Sequence, residues 1–157
     1  MAEVSQNPSR TVLVAVDNSE YSLEAFEWFL ANIYMKGMDE IILLHVAEQP
    51  HVPFLADALG IEEWKQEVKK VEEHVRAVEK KFIDRCKELE LAHVTFKLEQ
   101  GKPGEKICEV ALKDKVKFIV LGSRGMGAIR RTVLGSVSTY VIHHTKIPVI
   151  FCPKDHN

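Results

Sequence analysis

The sequence predicts an α/β fold, an open parallel sheet with helices on both faces, in one domain of 157 residues. Three observations carry that prediction. Short, continuous apolar runs rich in β-branched residues recur along the chain, and such runs read as strands buried on both faces. Stretches with apolar residues three and four apart stand between them and read as amphipathic helices. The two kinds of segment alternate, which is the pattern of a parallel sheet with right-handed crossovers.

The run TVLVAV at 11–16 predicts the first strand. DNSE at 17–20 follows with N-cap residues and an acidic first turn. Residues 21–35 carry Ala25, Phe26, Phe29, Leu30 and Ile33 at helical spacing, with Gly37 as the stop. EIILLHV at 40–46 is a second buried strand, and 47–60, with two prolines and a glycine, is the longest irregular stretch. Trp64, Val68, Val71, Val75, Val78, Phe82, Cys86 and Leu89 then mark a long helix over 61–89. Its pattern is read as a helix lying on a sheet rather than a coiled coil, which about three heptads would make short.

Residues 92–100 alternate apolar and polar, as an edge strand does. GKPGEK at 101–106 is a turn opening a helix over 107–113, and VKFIVLG at 116–122 is another buried strand. A helix over 136–144 and a last strand over 146–153 complete the chain. The domain is expected to span 11–153, with a flexible N-terminus at 1–10 and a tail at 154–157.

Composition narrows the function classes. A formal charge of −2 argues against a nucleic-acid coat or a membrane surface as the main partner, although Arg124, Arg130 and Arg131 form a local basic patch. Cys86, Cys108 and Cys152 are odd in number and lack metal-ligand spacing, so they read as reduced core thiols. The polar N-terminus has no signal-like apolar segment, and no apolar run approaches the roughly 18 residues of a membrane span. A cytoplasmic protein is the expectation.

The chemistry concentrates in VLGSRGMGAIRRTVLGSVSTY at 120–140. In an open parallel sheet, ligands bind beyond the carboxyl ends of the strands, where the strand order reverses. Asp17 and Gly122 each follow a predicted strand and are candidates for that crevice. Glycines let backbone approach an anion closely, and a helix N-terminus offers unpaired N–H groups and the positive end of a dipole. Gly135, Ser136 and Val137 would start the last helix in that way, with the Ser136 hydroxyl available to phosphate or Mg²⁺ and Arg124 able to add a guanidinium contact. Neither a P-loop nor a G-x-G-x-x-G dinucleotide loop is present. Taken singly, each glycine could instead serve a turn with positive φ, and Asp17 could be a helix N-cap.

The spacing Gly122, two residues, Gly125, nine residues, Gly135, Ser136 resembles the G-x2-G-x9-G-[S/T] signature of the ATP-binding branch of the universal stress protein family. VLVAVDNSEYS, IILLHVAE, GKPGEKICEVA and the closing third are similar to that family over almost the whole chain. The resemblance implies a Rossmann-like, adenine nucleotide α-hydrolase-like sheet in the order 3-2-1-4-5, binding ATP, AMP or ADP, with Mg²⁺. It implies Asp17 beside the nucleoside with Ala15 and Val16 beneath, and Val46 offering backbone to adenine. It further implies Leu121, Gly122, Ser123, Arg124 and Gly125 along the ribose and phosphate path, and Gly135, Ser136 and Val137 on the phosphates. It implies a homodimer, for which the apolar strand at 147–152 is the candidate edge. Asn18 stands where the family often has glycine or serine.

The resulting expectation is a nucleotide-dependent stress-response or signalling module with at most slow ATP hydrolysis, since no catalytic base or metal cluster is visible. Two alternatives stand beside it. An adenylylating enzyme would carry an S-G-G-x-D-S-like loop after the first strand, which VAVDNSEYS lacks. A nucleotide-free interaction protein would lack the glycine motif. His45 is read as a hydrogen-bonded core histidine, and adjacent His143 and His144 face different ways on a helix.

Overall fold

The computed structural model describes residues 7–48, 60–123 and 134–153. The elements run β1 (Arg10–Ala15), α1 (Glu20–Asn32), β2 (Asp39–Ala47), α2 (Ile61–Glu88), β3 (Val94–Gln100), α3 (Pro103–Lys113), β4 (Phe118–Gly122), α4 (Ser136–His144) and β5 (Val149–Cys152). All five strands are parallel, in the order β3-β2-β1-β4-β5. The predicted strand order is therefore the observed one, and the order reverses between β1 and β4.

Period-two alternation sorts the strands onto two faces. Val12, Val14, Val16, Ile41, Leu43 and Val120 pack with Phe26 and Phe29 of α1 and Val78 and Phe82 of α2. Leu13, Ile42, Leu44, Ile119 and Leu121 pack with Ile107, Val110 and Ala111 of α3 and Val141 of α4. Neither face of the central strands is open to water, which is why their sequences are continuously apolar rather than alternating. Among the described residues no helix is long and apolar enough to cross a membrane.

Several boundaries differ from those read in the sequence, each for a local reason. Ser9 and Arg10, expected in a loose N-terminus, instead donate backbone hydrogen bonds to the Met38 carbonyl. Arg10 also grips the fully buried Asp39 carboxylate at 2.5 and 2.7 Å. β3 begins at Val94 rather than 92 because His93 has φ of 56°, and β4 begins at Phe118 rather than 116 because Lys115, at 52°, turns the chain before it. α3 starts four residues earlier than read, with Pro103 in the first turn, where its missing N–H costs nothing. α1 ends at Asn32 rather than 35, and β5 starts at Val149, after Pro148.

Candidate functional site

Strand β1 ends against the first turn of α1, and that junction is tied by short local bonds. The Asp17 carboxylate Oδ1 accepts from the Ser19 N–H at 2.8 Å and from the Ser19 hydroxyl. Ser19 caps α1, its Oγ accepting from the Ser22 N–H at 3.3 Å. The Ser22 hydroxyl donates to the Asp17 carbonyl at 2.9 Å and faces the Asp17 N–H at 3.1 Å. Asp17 therefore orders the turn, while Ser19 supplies the cap that the sequence left open between DNSE positions.

Next to it, the Val16 N–H donates to the Leu44 carbonyl at 2.9 Å, and His45 Nδ1 lies 2.8 Å from the Val16 carbonyl. A carbonyl only accepts, so Nδ1 carries the proton of that bond. His45 is the buried, hydrogen-bonded histidine that the sequence implied.

Gly122 closes β4 beneath the same turn. A Cβ at this position would come within 2.8 Å of the Tyr21 carbonyl carbon and 3.1 Å of the Ser22 nitrogen, so α1 backbone occupies the space a side chain would need. Gly122 does not have positive φ, and neither does Gly135, at φ −63° and ψ 165°. The turn explanation for these glycines thus gives way to close approach at Gly122 and to helix entry at Gly135. Ser123 follows, its N–H bonded to the Cys152 carbonyl at 3.0 Å.

Gly135 is the N-cap of α4 and brings no capping side chain. The first intrahelical donor is Thr139, bonded to the Gly135 carbonyl at 2.9 Å. The amides of Ser136, Val137 and Ser138 precede it and have no acceptor within the helix. Among the described residues, a cleft of about 50 Å³ at this end of the sheet brings together Ala15, Val16, Asp17, Val46, Leu121, Gly122 and Val137 of the sequence-read set. A hollow of about 350 Å³ along Glu48, Gly101 and Lys102 shares Pro103 with it. Ser123, Gly135 and Ser136 are described but do not line the cleft; Arg124 and Gly125, like Arg130, Arg131 and most of 47–60, lie outside the described residues.

The cleft also contains residues the sequence reading did not place there: Ser19, Ser22, Leu44, His45, Pro103, Ile107 and Ser138. Pro103 and Ile107 arrive because Gly104 lets α3 close onto α4. A Cβ on Gly104 would lie 2.7 Å from the Tyr140 ring. The signal for these two was the proline of GKPGEK, which marks a helix start one turn upstream of the one read.

Chemically, the site combines an apolar floor, the carboxylate and hydroxyls of the Asp17 turn, and the N–H-rich start of α4. That set suits a ligand with an apolar ring, hydroxyls and an anionic group. Among the described lining residues Asp17 is the only carboxylate.

Comparison with known proteins is consistent in direction. The model of the universal stress protein family matches residues 8–153. A universal stress protein of Thermus aquaticus is 30% identical, the alignment covering 90% of this chain and 96% of the relative. The solved structure of a universal stress protein from Methanocaldococcus jannaschii superposes with a TM-score of 0.71 at 27% identity, covering 96% of this chain and all of that one. A family member from Arabidopsis thaliana, solved with AMP bound, superposes at 0.69 with 22% identity over 93% of this chain and 92% of its own, a likeness of fold.

Proposed function

This chain belongs to the universal stress protein family, and from that membership we propose that it binds an adenine nucleotide at the carboxyl ends of β1, β2 and β4. The observation that carries the proposal is the meeting of the Asp17 turn, the Val46 backbone and the uncapped start of α4 around one cleft. In this reading the base lies by Val46, and Asp17 meets the ribose hydroxyls. The phosphates run past Gly122 to the amides of Ser136 and Val137, where N–H groups and the helix dipole favour negative charge. The cleft alone is smaller than the roughly 300 Å³ that a ligand of this size fills, so the nucleotide extends along its rim and into the hollow that shares Pro103. That a fold neighbour was solved with AMP and another with cAMP supports the adenine class.

ATP with Mg²⁺ is the proposed ligand, the Ser136 hydroxyl standing where it can meet the metal or a phosphate. The protein acts as a nucleotide-dependent module in a stress response, working as a cytoplasmic homodimer through β5. Hydrolysis is expected to be slow at most: among the described residues lining the cleft the carboxylate is Asp17, which this reading puts at the nucleoside end and which Ser19 engages.

Isothermal titration of the protein with adenosine, AMP, ADP and Mg-ATP tests this reading. Micromolar binding that strengthens with added phosphates supports it. Absence of binding by folded, nucleotide-free protein sinks it.

A further inference from the structure

Helix α2 meets α1 in a ladder of three contacts. Arg85 grips Glu27 at 2.5 and 3.2 Å, Phe82 packs edge-on against Phe26 with ring centroids 5.7 Å apart, and Lys81 reaches the turn before α1. The Lys81 ammonium lies 3.2 Å from the Ser19 carbonyl and 3.4 Å from the Asn18 carbonyl. It is also 5.7 Å from the centre of the neighbouring Phe82 ring, within cation–π range. The two rungs below fix where on α1 this amine arrives, 62 residues away in sequence from the carbonyl it binds.

That turn is the one carrying Asp17. From the amine, a continuous path leads through Ser19: its carbonyl accepts from Lys81, and its N–H and hydroxyl donate to the Asp17 carboxylate. A cation on two carbonyl oxygens makes charge-assisted bonds, as the Asp17 carboxylate does with Ser19 on the other side of the turn. A turn already held pays less ordering entropy when a ligand arrives.

We infer that Lys81 is a positioning residue of the nucleotide site, bracing the Asn18–Ser19 turn from α2 so that the Asp17 carboxylate is held ready for the nucleoside. The inference rests on the adenine-nucleotide reading above. It makes α2 a part of the site without α2 touching the ligand. Because the path ends at Asp17, the effect of Lys81 belongs to the nucleoside half of the ligand and is blind to the number of phosphates.

The test is titration of Lys81→Met, Lys81→Arg, Asp17→Asn and the Lys81→Met/Asp17→Asn double variant with adenosine, AMP and Mg-ATP. Lys81→Met should weaken all three by the same factor, about fivefold or more, and Lys81→Arg should restore most of it. In the Asp17→Asn background Lys81→Met should add nothing. Unchanged affinity overturns the inference. So does a loss that grows from adenosine to Mg-ATP, which would make Lys81 a direct phosphate contact, or a loss that adds in full to that of Asp17→Asn. If the wild type binds none of the three ligands, the nucleotide reading fails by itself. The brace is then judged by amide exchange: faster exchange at Ser19 and Ser22 in Lys81→Met, with β1 unchanged, supports it, and unchanged exchange at both overturns it.

Discussion

Gly122 at the end of β4 lies directly against the Tyr21 backbone in the first turn of α1, with no room between them for a single methyl group. The contact joins β4 to the helix that follows β1, the strands between which the order reverses, so a glycine packed on backbone sits at the edge of the proposed nucleotide cleft. Gly122→Ala should cost about 1–3 kcal/mol as an overpacking change. For a chain of this size that lowers the melting temperature by about 2–4 °C per kcal/mol. Because α1 must move, nucleotide affinity should fall along with stability. A variant with wild-type melting behaviour would show that the approach is looser than described.

Gly135 should behave in the opposite way. Its φ and ψ are open to any residue, so Gly135→Val should keep the fold and its melting temperature to within a few degrees. The added isopropyl group crowds the amides at the start of α4, and Mg-ATP affinity should drop at least about tenfold. Titration and thermal melting of the same preparation separate the two effects. Loss of fold together with loss of binding would contradict the assignment of Gly135 to the ligand.

The open edge of β5 gives a test of the proposed dimer that needs no mutation. The Pro148 and Cys152 carbonyls accept from Ile119 and Ser123 of the neighbouring segment. By strand alternation, the N–H groups of Val149 and Phe151 point the other way, to the sheet edge. If β5 pairs across a two-fold axis, these two amides exchange slowly with deuterium, and light scattering gives twice the chain mass. Fast exchange at both, with a monomeric mass, would remove β5 as the interface.

The thiols predict an alkaline weakness. Burial, with the Glu27 carboxylate nearby, pushes Cys86 up to about 11, and burial pushes Cys152 up to about 11. In the unfolded chain both ionise near the ordinary value of 9.0. Below that pH both states keep their protons. Between about 9 and 11 only the unfolded state loses them, so stability falls as pH rises through this window. Urea midpoints at pH 8.5 and 10.5 should diverge in the wild type and converge in Cys86→Ala/Cys152→Ala. An equal drop in both proteins would assign the effect to other groups.

The sheet was legible in the sequence because its strands are buried on both faces. A run such as IILLHV leaves no other place to go, and the order 3-2-1-4-5 followed from the resemblance carried by the glycine motif. Boundaries were less legible where a non-glycine residue takes positive φ. His93 and Lys115 each end a turn in that conformation, and neither residue type announces it. At the site, Asp17 and Gly122 were visible because each closes a readable strand, whereas Val46 and Leu121 came from the family resemblance. Ser19, Ser22, Ser138 and His45 were not assigned to the cleft, because a serine in a cap or a histidine in a strand has a sufficient local use. Their second role exists only once β1, β2 and α4 converge. Lys81 was invisible for the same reason: among the lysines of α2, its use depends on where α1 begins.

Arg10 and Asp39 stand at the amino ends of β1 and β2, and the cleft stands at their carboxyl ends. Six or seven residues of strand separate them, about 20 Å. At that distance substitutions act nearly independently. Evolution can therefore revise the ligand end without renegotiating the ion pair that ties the amino ends of β1 and β2. The fold's tolerance for drift and the freedom of the cleft to change its ligand are two readings of that separation.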